Sequence, residues 1–149
     1  MGEWNNGEVS GYGVHYMKNG QKYEGEFKNF LKHGFGKEDF PNGDSYLGNY
    51  TQGQANGKGK YTWKCGAVFS GNFYQGIREG RGTIAWENIL NFEGMFKNDL
   101  PNGEGRILYP NEDEFNGTFT NGMKNGVGFL NLRSSRKVIK GKWDQDLLL

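Results

Sequence analysis

The chain has 149 residues, enough for one ordinary domain, yet only 34% are hydrophobic while 26 are Gly and 15% are aromatic, which argues against a thick globular core. A formal net charge of +1 excludes nucleic-acid binding on net charge, and one cysteine, Cys65, excludes an internal disulfide framework and fits a reducing compartment. With no apolar run of membrane-spanning length and no signal-peptide pattern at the N-terminus, the sequence reads as a soluble intracellular protein, and the sequons at Asn49 and Asn116 as unglycosylated.

Along the chain the same elements return every 23 residues. Repeats begin at Tyr23, Tyr46, Phe69, Phe92 and Phe115, preceded by a truncated repeat and followed by a partial one at Ile139. The array reads as a single domain over 1–149: a partial repeat 1–22, repeats 23–45, 46–68, 69–91, 92–114 and 115–138, and a partial repeat 139–149. Position three is Gly throughout (Gly2, Gly25, Gly48, Gly71, Gly94, Gly117, Gly141) and position five is aromatic throughout (Trp4, Phe27, Tyr50, Phe73, Phe96, Phe119, Trp143). Positions twelve and fourteen are both Gly, as in Gly34-Phe35-Gly36 and Gly57-Lys58-Gly59.

Positions one, three and five alternate with polar two and four, which is the period of a half-buried strand. A weaker alternation over positions fourteen to eighteen ends in Phe40, Trp63, Trp86 or Tyr109. Turn signals separate the runs, among them many Asn-Gly pairs, the strongest short hairpin signal. Each repeat is therefore a β-hairpin, and the hairpins join into an antiparallel meander with no helical stretch. Gly inside a strand marks close approach of another group. Here it lies between two aromatics of one face, so the rings can lie over bare backbone in ladders.

The unit Tyr23-Glu24-Gly25-Glu26-Phe27, continued by His33, Gly34, Gly36 and Gly43, resembles a MORN (membrane occupation and recognition nexus) repeat. The resemblance runs over the whole chain. Departures are Phe30 and Asp99 in place of the eighth-position Gly, and the turns near Trp86-Glu87-Asn88 and Asn131–Val138. The resemblance implies an elongated, twisted, single-layer sheet, all-β, often with a shallow groove lined by repeat aromatics. Its members act as scaffolds, adaptors or modules attached to enzymes. Two strands per repeat at ~4.8 Å give roughly 10 Å per repeat, and adjacent strands twist by about 20–25°.

A one-layer sheet leaves some ring surface open, which suits docking of a peptide or helix. The expected groove residues are Tyr50, Trp63, Phe73, Trp86, Phe96 and Tyr109. Arg133, Arg136, Lys137, Lys140 and Lys142 form a basic run without an acid, readable as an anionic-lipid contact or as a charged edge strand that resists aggregation. His15 and His33 lack ligand partners at metal spacing, Cys65 lacks a base, and no phosphate-loop, calcium-loop or convergent acid–base pattern appears. No catalytic residue, metal or cofactor is expected, and the carboxylates are read on outward strand positions and turns.

The sequence thus points to a non-enzymatic scaffold for a protein partner in the cytoplasm, and family analogy alone adds cytoskeletal, ciliary or axonemal structures. The alternatives are a membrane-tethering module and the targeting module of a larger lipid kinase or methyltransferase. Because the chain opens inside a repeat and array ends need caps, it reads as an excerpt or as capped, for example by a homodimer through Ile139–Leu149.

Overall fold

The structure, a computed structural model, describes residues 3–5 and 8–148, with side chains from residue 11 onward. The readings of Met1, Gly2, Gly7 and Leu149, and of the Trp4 ring, lie outside the described residues. Two units compose the chain, Met1–Ile77 and Arg78–Leu149. The first holds β1 (Glu3–Asn5), β2 (Glu8–Tyr16), β3 (Lys22–Lys28), β4 (Leu31–Asp39), β5 (Ser45–Thr51), β6 (Gln54–Thr62) and β7 (Val68–Tyr74). The second holds β8 (Ile77–Trp86), β9 (Leu90–Lys97), β10 (Leu100–Leu108), β11 (Glu114–Thr120), β12 (Met123–Leu132), β13 (Lys137–Asp144) and β14 (Leu147–Leu148). Within each unit every strand pairs antiparallel with its neighbours in the chain. Each unit is therefore one layer of antiparallel meander, with no helix among the described residues.

The two turns of a repeat have different chemistry. Positions seven and eight close a two-residue hairpin with positive φ at both, as at Gln52 (49°) with Gly53 (84°) and at Asn121 (48°) with Gly122 (85°). That is the type I′ geometry whose twist matches paired strands. Asn29-Phe30 and Asn98-Asp99 hold the same conformation without Gly, at φ 66° for Phe30 and 72° for Asp99. The second turn is longer: Phe40 N donates to Asp44 O at 2.9 Å and Gly43 N to Phe40 O at 3.1 Å, with Gly43 at φ 95°. The turn at Tyr109–Asp113 repeats it with Glu112 at φ 70° in the Gly place.

One sequence expectation is corrected here. Asn56-Gly57, Asn102-Gly103 and Asn125-Gly126 are not hairpin turns but lie inside β6, β10 and β12. Their glycines, the twelfth of each repeat, have φ of 89°, 104° and 95° and sit beside register shifts in the neighbouring ladders. They form β-bulges, where an extra residue in positive φ bends and twists the strand. His33 lies in β4 as well.

The other glycine columns make room for rings. A Cβ on Gly25 would stand 2.6 Å from Tyr23 Oη, and one on Gly117 2.6 Å from Phe115 Cζ; neither separation is sterically allowed. Over this bare backbone the rings pack edge to face. In the first unit Tyr23–Tyr50, Tyr46–Tyr50, Tyr46–Phe73 and Phe69–Phe73 have centroids 5.2, 5.1, 5.0 and 5.3 Å apart. In the second, Phe92–Phe119, Phe115–Phe119 and Phe115–Trp143 are 5.1, 5.7 and 4.9 Å apart. Such pairs add about 0.5–1.5 kcal/mol each beyond their buried area. The core of each unit is thus a single course of rings on one sheet face, with Tyr23, Phe69 and Phe115 fully buried.

Candidate functional site

The structure divides the six expected groove aromatics. Tyr50, Phe73 and Phe96 are only 3, 6 and 3% exposed. They offer no open ring face: Tyr50 and Phe73 are flanked edge to face by the position-one rings of their own and the preceding repeat, and Phe96 meets Phe92 edge to face at 5.5 Å. These three belong to the core rather than to a groove. Trp63 and Tyr109 are half-buried and Trp86 is 37% exposed. All three occupy position eighteen, beyond the end of the ring course.

In the first unit this eighteenth-position row is a cluster. Phe40 stacks on Tyr61 at 5.9 Å and 29°, and Tyr61 meets Trp63 at 5.2 Å and 61°; all three rings are half-buried. The Tyr61 hydroxyl donates to Asp44 Oδ2 at 2.6 Å, while Lys64 N donates to Asp44 Oδ1 at 2.8 Å. The carboxyl of Asp44 consequently lies below its usual pKa, mainly through the Tyr61 hydrogen bond. Asp44 so ties its own turn to the ring cluster and to the next turn. In the second unit Lys124 Nζ lies 5.8 Å from the Tyr109 ring centroid, and Arg133 N donates to Asp113 Oδ1 at 2.8 Å. Phe40 and Tyr61 were missed as site residues, although the alternation over positions fourteen to eighteen put them on the ring face.

The expectation that the carboxylates lie outward is overturned at Glu38, which is 3% exposed on the ring face of β4. It accepts from Tyr50 Oη at 2.8 Å and from Lys32 Nζ at 2.7 Å, and also from Gln21 Nε2. Lys32 Nζ in turn lies 5.7 and 5.6 Å from the Tyr23 and Tyr50 ring centroids. Burial first, and the Glu38 charge second, push the Tyr50 hydroxyl far above its ordinary pKa. Every oxygen of the group is engaged, so its evident work is to seat the rings.

The basic run does not form one surface. Arg133 and Arg136 sit at the turn before β13, and Lys137 lines with them a depression of about 310 Å³ that also holds Glu112 and Glu114. Lys140 and Lys142 stand on β13 opposite the Trp143 face, paired in register with Phe129 and Val127. β14 covers β13 only at Trp143 and Asp144. Cys65 is exposed. No cluster of metal-binding side chains occurs among the described residues, and no helix among them is long and apolar enough to cross a membrane.

The period, the bulge glycines and the ring ladder together have a counterpart among known families. The family pattern described as MORN repeat matches residues 1–22, 23–45, 46–66, 69–88, 92–114 and 115–131. The chain belongs to the MORN-repeat family. No curated protein matches the sequence. Among solved structures, the TCP10 domain of Danio rerio CPAP, in complex with a peptide of Danio rerio STIL, is similar with a TM-score of 0.58 at 16% identity. That likeness covers 88% of this MORN-repeat chain and 59% of the other chain. The TCP domain of SAS-4 (dCPAP) of Drosophila melanogaster, in complex with a proline-rich motif of Ana2 (dSTIL), matches at TM-score 0.45 and 12% identity over 89% and 90% of the two chains. At such identities the likeness is one of fold.

Proposed function

We propose that this MORN-repeat chain is a non-catalytic scaffold that holds an extended segment of a partner protein on the eighteenth-position aromatics of one unit. The observation that carries the reading is the contrast in burial between two aromatic columns. The fifth-position rings Tyr50, Phe73, Phe96, Phe119 and Trp143 are buried in the core, whereas the eighteenth-position rings keep surface accessible, Phe40 and Trp63 in the first unit and Trp86 and Tyr109 in the second. Flat, half-exposed Trp and Tyr rings are favoured anchors for peptides, since they give large contact area with little entropy to lose. The fold neighbour that carries a bound peptide supports the same reading. A cytoplasmic setting on cytoskeletal or ciliary structures goes with it.

The test is selection from a random peptide library on the wild-type chain, followed by affinity measurement on Trp63→Ala and Trp86→Ala. Selected peptides should lose roughly 10- to 100-fold in affinity on one of the two variants, as anchor truncation does. Circular dichroism and an unchanged unfolding midpoint should show that both variants fold. Peptides that bind both variants as tightly as wild type would place binding elsewhere.

A further inference from the structure

The face of the first unit opposite the rings has its own character. β5, β6 and β7 contain no Asp or Glu. Lys58 and Lys60 project from β6 on that face, in register with Asn72 and Ser70 of β7, and neither makes an ion pair with a described residue. In the other direction Lys60 lines up with Leu47 of β5, and Leu47 with Lys37 of β4. Lys37 lies 3.9 Å from Asp39 and stands in register with Glu24 of β3, so it is the most compensated of the three. Leu47 is 40% exposed amid the three lysines, and Phe35, two residues from Lys37, is 55% exposed.

We propose that this face binds an extended acidic segment of a partner protein, with one apolar side chain seated on Leu47 and Phe35 and carboxylates meeting Lys37, Lys58 and Lys60. The spacing fits. Lys58 and Lys60 are roughly 7 Å apart along the strand, the repeat of same-face side chains in an extended peptide, and Lys37 and Lys60 are about 10 Å apart across two strand spacings. The complementarity is of charge around an apolar centre, the arrangement that steers and orients a partner. An anionic membrane fits less well. Polybasic membrane sites use about four to eight cations, whereas three stand here in a short patch on β4 and β6. The proposal uses the face opposite the aromatic row and stands independently of it.

The experiment uses a short fluorescein-labelled peptide in which Glu and Ser alternate around one central Leu, titrated into the full chain and followed by anisotropy. Binding should weaken about tenfold in the Lys58→Gln/Lys60→Gln variant, and severalfold in Leu47→Ser, with circular dichroism unchanged. It should also weaken as salt is raised, since the lysines are exposed. A peptide with Lys in place of Glu should not bind. Equal binding by the double variant, or equal binding of the lysine peptide, would overturn the proposal. So would phosphatidylserine vesicles that sediment the chain in a Lys58- and Lys60-dependent way while the acidic peptide fails to bind.

Discussion

The ring ladder of the first unit mixes tyrosines with phenylalanines, whereas that of the second is built of phenylalanines and Trp143. Tyr23, Tyr46 and Tyr50 donate hydroxyl hydrogen bonds to Glu26 O, Asn49 O and Glu38 Oε1, at 2.8, 2.9 and 2.8 Å. Phe92, Phe96, Phe115 and Phe119 fill the same columns with no polar tip. The sixteenth position follows suit, with Glu38 and Tyr61 in the first unit and Ile84 and Ile107 in the second. The backbone plan is common to both, so the fold demands ring shape over glycine and is indifferent to the ring's tip. Once a tip is polar and buried, however, its partner becomes obligatory.

The sharpest way to break that comparison is to remove the buried acceptor. Glu38→Ala strands the Tyr50 hydroxyl and the Lys32 ammonium, and should destabilise the chain by about 3 kcal/mol in urea unfolding. Replacing the group as a whole should act oppositely. Glu38→Leu with Tyr50→Phe and Lys32→Met gives the first unit the dry pattern of the second, and such replacements are commonly neutral or stabilising by about 1–4 kcal/mol. A triple variant as unstable as Glu38→Ala would show that the polar group contributes net stability, and that the two cores are not interchangeable.

Alkaline pH separates the units next. Burial pushes Tyr23 and Tyr46 up to about 12, against an unfolded value near 10. The folded state therefore holds those protons more tightly than the unfolded one. Their contribution is whole below about pH 10 and is lost as pH rises from there through about 12. The urea midpoint should fall between pH 9 and pH 11.5, and Tyr23→Phe/Tyr46→Phe should lessen the fall. An undiminished fall in that variant would assign it to other groups. The ladder of the second unit has nothing to titrate in this range.

How much of this was legible beforehand follows from what a period can encode. Alternation and glycine columns put Tyr23, Gly25 and Phe27 on one face, and steric exclusion at Gly25 and Gly117 agrees with the reading of glycine as room for a ring. Alternation says which face a ring is on and not how far its neighbours cover it. Alternation hence groups Tyr50, Phe73 and Phe96 with Trp63, Trp86 and Tyr109, though coverage depends on neighbouring rings, as Tyr46 of its own repeat and Tyr23 of the preceding one cover Tyr50. Glu38 was misplaced for a related reason. It stands at a ring-face position, but only its union with Lys32, Gln21 and Tyr50, drawn from three strands or turns, makes burying a carboxylate tolerable. The bulges were hidden because Asn-Gly serves a tight turn and a positive-φ bulge equally well.

The smallest expected effect sets two irregular turns against each other. Phe30 and Asp99 both occupy the eighth position at positive φ, where a side chain other than Gly is held at a cost of about 1 kcal/mol. Phe30→Gly should therefore stabilise the chain by up to about that amount, less what the half-exposed ring contributes where it is covered (it is 54% exposed). Asp99→Gly gains the same backbone relief but loses a carboxylate that accepts from Arg78 N at 2.8 Å and lies 3.7 Å from Arg78 Nε. Its net effect should be near zero or slightly destabilising. If both glycine variants rise equally in unfolding midpoint, the carboxylate is idle and strain alone governs the position. If neither rises, the type I′ turn bears Phe30 without strain, because the strands on either side already impose its twist.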